Sequence, residues 1–195
     1  MTNVTFQALG LAEPILRALK KRAYETPTPI QAQAIPALMD GRDMIGIAQT
    51  GTGKTAAFSL PILHALAAEE VQGRRKPRAL ILAPTRELAI QIGEEMRGYA
   101  ANLKLFQTVV FGGVGHGNQI KALSRGVDIV IATPGRLLDH IKAGHMNLRG
   151  VTHLVMDEAD RIFREETAKL KSVAAAAVAE AADCLDLVLA GTMLS

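Results

Sequence analysis

Asp43-Met44-Ile45-Gly46-Ile47-Ala48-Gln49-Thr50-Gly51-Thr52-Gly53-Lys54-Thr55 begins as an apolar run, turns into a glycine-punctuated loop and ends in a lysine and a hydroxyl. Asp43 to Ile47 has the composition of a buried strand, and Lys54 to Ala68 spaces its apolar residues as a helix does. A loop that leaves a strand and enters a helix presents successive backbone N–H groups, and the positive end of the helix dipole, to an anion. Glycines let such a loop wrap closely. Lys54 would then neutralise the β- and γ-phosphates of a nucleotide, and the Thr55 hydroxyl would ligate Mg²⁺. In the pattern Ala48-x4-Gly53-Lys54-Thr55, alanine stands where the strict phosphate loop has glycine. A glycine turn with an incidental lysine is the rival reading, and the placement between strand and helix disfavours it.

A magnesium site needs an acid from elsewhere in the chain. Val155-Met156-Asp157-Glu158 supplies one at the end of a later apolar run. Asp157 would hold the metal, largely through water, while Glu158 would orient and deprotonate an attacking water. Taken alone, paired acids after a strand are as often a solvated helix start.

Further apolar runs lie at Ala79 to Ala83, Thr108 to Phe111, Asp128 to Ala132, Thr152 to Met156 and Asp186 to Ala190, with helix-like stretches between them. Continuous apolar strands alternating with helices indicate an α/β fold: a doubly wound, mostly parallel sheet with helices on both faces. Thr85 to Ala101 starts with a capping threonine, and Thr133-Pro134 sets a cap before a first-turn proline. Gly73 to Pro77, with Arg74, Arg75 and Lys76, reads as a solvated turn, and alanine-biased Ala174 to Ala182 as a helix.

The 195 residues suit one domain, and 49% hydrophobic with 21% charged residues suits a globular one. With no Trp, the core is expected to be aliphatic. The net charge of +3 admits a polyanionic partner without requiring it. Cys184 alone cannot form an intramolecular disulfide, and no apolar run approaches the roughly 20 residues of a bilayer span, so a cytoplasmic setting is expected. The five histidines show no convincing metal spacing and read as surface or packing residues.

Asp157-Glu158-Ala159-Asp160 spells the motif that names a family, and the chain from about Phe6 to Arg161 resembles the first RecA-like domain of DEAD-box ATP-dependent RNA helicases. Thr26-Pro27-Thr28-Pro29-Ile30-Gln31 is similar to that family's adenine-reading segment. The resemblance implies that Gln31 hydrogen-bonds the base edge, that Tyr24 stacks on it and that Phe6 is the segment's upstream aromatic. It also makes Ala48 normal for the phosphate loop. Pro84-Thr85-Arg86, Gly112-Gly113 and Thr133-Pro134-Gly135-Arg136 resemble the family's RNA-backbone contacts, and two of these segments offer helix N-termini that suit phosphate. Sequence-independent RNA binding is therefore expected.

On this reading residues 1–40 form the adenine-reading segment, 41–161 the motif-bearing core and 162–195 a divergent part. The family's Ser-Ala-Thr, which links nucleotide to strand separation, aligns with Ala190-Gly191-Thr192, so only Thr192 is kept and Asp160 is expected to lose a serine partner. Read one base later, the codons for residues 181–185 can encode Arg-Gln-Thr-Val, which resembles the family's approach to this strand. The resemblance implies ATP and Mg²⁺ as cofactors and RNA as partner. It also implies a second RecA-like domain that supplies arginines to the γ-phosphate and is expected to be absent from this chain, leaving a monomer that binds nucleotide but does not unwind. A nucleotide-independent RNA-binding or regulatory module, or another phosphate-loop motor, remain the alternatives.

Overall fold

The computed structural model describes residues 4–49, 51–165, 169, 172–173 and 186–191. Among these described residues six strands form one sheet: β1 (Met44–Ile47), β2 (Ala79–Leu82), β3 (Gln107–Val110), β4 (Ile129–Ala132), β5 (His153–Met156) and β6 (Asp186–Gly191). Their spatial order is β1-β6-β5-β2-β4-β3, and every neighbouring pair is parallel. All six carboxyl ends therefore open on one rim, where α/β sheets place their ligand crevice. The expected strands are all present, with ends displaced by one residue at most positions.

Helices α1 (Glu13–Lys21), α2 (Pro29–Met39), α3 (Lys54–Ala68), α4 (Arg86–Tyr99), α5 (Gly117–Arg125), α6 (Pro134–Lys142) and α7 (Ala159–Glu165) cover the sheet. Side chains alternate across a strand, so β2 sends Ala79 and Ile81 into one core and Leu80 and Leu82 into another. The first core packs α1, α3 and α4 through Ile15, Leu63 and Ile92. The second packs α5, α6 and α7 through Leu123, Leu137 and Ile162.

Strand β1 departs from the expectation of burial on both faces. Ile45 and Ile47, two residues apart and so on one face, are 73% and 58% exposed, and among the described residues β1 is an edge strand joined to the sheet by β6. The expected cap at Thr133 is also corrected. Its side chain makes no cap bond, and the start of α6 relies on Pro134 at the first turn, whose fixed φ needs no cap hydroxyl to set it. Thr85 does cap α4, accepting from the Leu88 N–H at 3.3 Å.

The Gly73 to Pro77 turn is more than a solvated charge run. Arg75 Nη1 donates to both carboxylate oxygens of Asp128, at 2.8 and 2.7 Å. Arg78 and the Phe106 N–H also donate to this fully buried acid. A buried charge is tolerated only when so paired. Gly126, at φ +90°, lets the Arg75 backbone approach, since a Cβ there would lie 2.8 Å from the Arg75 carbonyl oxygen. The expected Ala174 to Ala182 helix and the 181–185 segment lie outside the described residues. Among the described residues no helix is long and apolar enough to cross a membrane.

Candidate functional site

The loop between β1 and α3 is shaped by its glycines and tied to the segment before α2. Gly51 and Gly53 have φ of +82° and +88°, and a Cβ on Gly53 would lie 2.3 Å from the Gln31 side-chain nitrogen. Only glycine fits there. Thr28 opens α2 with a capping box: its hydroxyl accepts from the Gln31 N–H, and the Gln31 side-chain oxygen accepts from the Thr28 N–H. The remaining donors of both residues reach the loop. Thr28 Oγ1 donates to the Thr52 carbonyl at 2.8 Å, and Gln31 Nε2 donates to the Gly53 carbonyl at 3.1 Å. Lys54 Nζ folds back onto the carbonyls of Ala48 and Gln49. Thr50 lies outside the described residues.

Across the same rim, β5 ends at Met156 and is followed by Asp157, which is 4% exposed. Burial pushes its carboxyl up to about 6, against the lowering effect of the Glu158 N–H bond at 3.0 Å and of the Lys54 ammonium. Glu158 has φ +50°, a left-handed conformation costly for a residue with a Cβ. Its carboxylate lies 3.6 Å from Arg161. Asp160 is not left bare by the missing serine, because Arg164 pairs with it at 2.8 Å one helical turn on. Ile47 of β1 pairs with Gly191 at the end of β6, and Thr192 beyond it lies outside the described residues.

Lys54, Thr55, Asp157 and Glu158 line one cleft of about 300 Å³, together with Gly51, Gly53 and Tyr24. Gln31, Thr26 and Phe6 do not line it. Phe6 is buried with its ring 6.3 Å from that of Tyr24, so it packs against a residue of the cleft without lining it. The far wall of the cleft comes from α4, through Leu88, Gln91, Glu95 and Tyr99. Leu88 continues the Pro84-Thr85-Arg86 motif, whereas Gln91, Glu95 and Tyr99 belong to no motif. Tyr99 is 75 positions from Tyr24, yet their hydroxyls meet at 3.2 Å, and helical spacing from Leu88 was the only signal of a shared face.

Three further segments gather at the ends of β2, β4 and β3. Arg86, next to Pro84 and Thr85, lays its guanidinium 4.9 Å from the centre of the Phe111 ring, and a Cβ on Gly113 would sit 3.9 Å from its Nη1. Arg136, two residues after Pro134 and one after Gly135, donates to the Val114 carbonyl at 3.0 Å. Gly112 and Gly113 are exposed between these anchors. Among the described residues no group of three or more His, Cys, Asp or Glu is placed to hold a metal ion. The histidines are packing residues in part: His64 accepts from the Ala12 N–H, and His140 is fully buried.

The DEAD/DEAH box helicase family model matches residues 28–188. The chain belongs to the DEAD/DEAH box helicase family. The match carries family character past Arg161, where the motif reading saw it fade. Curated DEAD-box relatives include ATP-dependent RNA helicase DeaD of Klebsiella pneumoniae, 50% identical over 163 residues, covering 83% of this chain and 25% of the relative. Another is probable ATP-dependent RNA helicase DDX46 of Danio rerio, 50% identical over 82% of this chain and 16% of its own. The crystal structure of a DEAD box protein from Methanococcus jannaschii superposes with a TM-score of 0.81 at 36% identity, covering 97% of this chain and half of that one. The fold is thus RecA-like, and the chain spans about a quarter of the length of its DeaD relatives.

Proposed function

We propose that this chain is the ATP- and RNA-binding domain of an RNA helicase, one that couples ATP hydrolysis to local separation of RNA duplexes. The supporting observation is that Lys54 and the Asp157-Glu158 pair face one cleft although about a hundred positions separate them in the chain. The residues fit magnesium as well. A buried carboxylate that holds its proton up to about pH 6 is an under-neutralised charge, and Asp157 with the Thr55 hydroxyl offers the oxygen donors a hard cation takes. When bound, Mg²⁺ neutralises the charge that builds on the phosphates.

In this reading Lys54 leaves the Ala48 and Gln49 carbonyls for the β- and γ-phosphates, and the N–H groups of the loop close around them. Tyr24 stacks on the adenine, which Gln31 reads at its edge, and Glu158 takes a proton from the attacking water. RNA runs across the helix N-termini at Thr85 and Thr133 and the Gly112-Gly113 loop, which contact backbone and 2′-OH groups. Arg86 and Arg136 add positive charge beside that path. Thr192 and Asp160 would relay the nucleotide state to the RNA side. A second RecA-like domain closing over both ligands would complete the site, since an added arginine is worth about 10³ to 10⁵ in rate. The nucleotide-binding residues belong to this domain, and fast turnover and unwinding need that second domain. A reducing, cytoplasmic setting is part of the reading, in keeping with the lone Cys184.

Titration of Mg²⁺-ATP and of single-stranded RNA into the chain tests the assignment. Saturable binding of both, with nucleotide binding lost in Lys54→Ala, is expected. RNA binding with no response to nucleotide would favour a nucleotide-independent RNA module, a reading to which the internally bonded Lys54 lends some support.

A further inference from the structure

Two polar side chains are buried between α5 and α6, and the nucleotide and RNA readings use neither. Gln119 is almost fully buried and His140 wholly so. Burying an amide against an imidazole is unfavourable unless each finds partners, and here the partners lead to a loop. Gln119 Nε2 donates to the Phe111 carbonyl at 3.0 Å. That bond fixes the amide, so its oxygen is the atom facing His140 Nε2 at 3.3 Å, and His140 must donate from Nε2. His140 Nδ1 is then the lone-pair nitrogen, accepting from His145 Nδ1 at 3.1 Å.

Donors thus point one way, from His145 through His140 and Gln119 to the carbonyl immediately before Gly112. A neutral His140 is what the surroundings favour. Burial lowers its proton affinity, and the neighbouring His145, His116 and Arg136 lower it further, with Asp139 acting weakly in the opposite sense. At the other end of the loop Arg136 holds the Val114 carbonyl. The two exposed glycines therefore hang between two side-chain anchors. Glycine loses more freedom on ordering than any other residue, so a glycine loop that is already held binds its ligand with less entropic loss.

We propose that Gln119 and His140 are positioning residues for RNA binding: they hold the Phe111 carbonyl so that the Gly112-Gly113 backbone is presented in register with the neighbouring helix N-termini. The inference rests on the RNA-binding reading above. Its mark is a loss of RNA affinity from side chains that touch no phosphate.

Fluorescence anisotropy with a labelled single-stranded RNA, over a salt series, reads this directly, alongside Mg²⁺-ATP affinity and thermal melting. Gln119→Leu should weaken RNA binding about five- to tenfold, the loss expected from one or two buried hydrogen bonds. Mg²⁺-ATP affinity should be unchanged. The salt dependence should keep the slope of the unsubstituted chain, because no phosphate-neutralising charge is removed, whereas Arg86→Ala should lower it by about one ion. His140→Leu should weaken binding by about threefold, and His140→Gln, whose amide can still donate to Gln119, should restore it. Unchanged RNA affinity in Gln119→Leu overturns the proposal, as does equal damage from His140→Leu and His140→Gln. Should Gln119→Leu fail to fold, the His140 pair decides alone. Absence of RNA binding by the unsubstituted chain would instead overturn the RNA reading itself, and this inference with it.

Discussion

Gln31, the residue whose family resemblance assigns it to a base edge, donates its side-chain amide to the Gly53 carbonyl of the phosphate loop at 3.1 Å. The same side chain closes the capping box of α2, so the start of α2 and the phosphate loop share one hydrogen-bonded unit. Gln31→Ala should therefore weaken even a ligand with no base. Inorganic tripolyphosphate with Mg²⁺ is expected to lose about five- to tenfold in affinity, the worth of a buried hydrogen bond. A loss confined to ATP, measured by calorimetry, would return Gln31 to base reading alone.

Asp157 makes the cleft pH-sensitive. Its folded value of about 6 lies above the unfolded 3.8, so the folded state binds the proton more tightly. Its contribution to stability is then full below about pH 4 and is lost as pH rises through 6. The difference amounts to about 3 kcal/mol on the high side of that window. Asp157→Asn should accordingly stabilise the nucleotide-free chain at pH 7.5 by up to about 3 kcal/mol, with the advantage gone by pH 4. Urea melts of both proteins across this range provide the check, and the variant should lose Mg²⁺-dependent nucleotide binding.

Glu158 holds a left-handed backbone that only glycine adopts freely. Glu158→Gly should be more stable than Glu158→Ala by about 1 kcal/mol, the reverse of the usual order. Denaturant midpoints measure it. Both should still bind Mg²⁺-ATP, because the role proposed for the Glu158 carboxylate is toward the attacking water.

Asp128 accepts from Arg75, Arg78 and the Phe106 N–H while fully buried. Removing it in Asp128→Ala takes the carboxylate from Arg75 and from Arg78, which keeps Glu69 and the Leu66 carbonyl, and should cost about 3 kcal/mol. This cluster sits at the amino ends of β2 and β4, opposite the ligand rim. Nucleotide and RNA affinity per folded molecule, measured at low temperature, should stay at the level of the unsubstituted chain.

Strand and helix positions were legible because apolar runs and helical spacing are local properties. Lys54 to Ala68 is helical over its full expected span, and the strands shift only at their ends. The phosphate loop and Asp157-Glu158 were legible as motifs, and their meeting follows from a parallel sheet that sends all loops to one rim. What the sequence could not convey was partnership between distant residues. Asp128 and Arg75 are 53 positions apart, and nothing in a three-residue basic run tells which side chain turns inward. Tyr99, Glu95 and Gln119 carry no motif, so their roles appear only once helices are packed. Thr133 shows the converse, a favoured capping residue that makes no cap bond.

β1 touches the sheet through β6 alone, and β6 is the final strand in chain order among the described residues. On a ribosome, the strand that launches Lys54 must therefore wait for residues 186–191 to emerge before it gains a sheet neighbour. Nascent chains stalled short of residue 186 should leave the Gly51 to Thr55 loop open to protease, and a few more residues past the exit tunnel should close it.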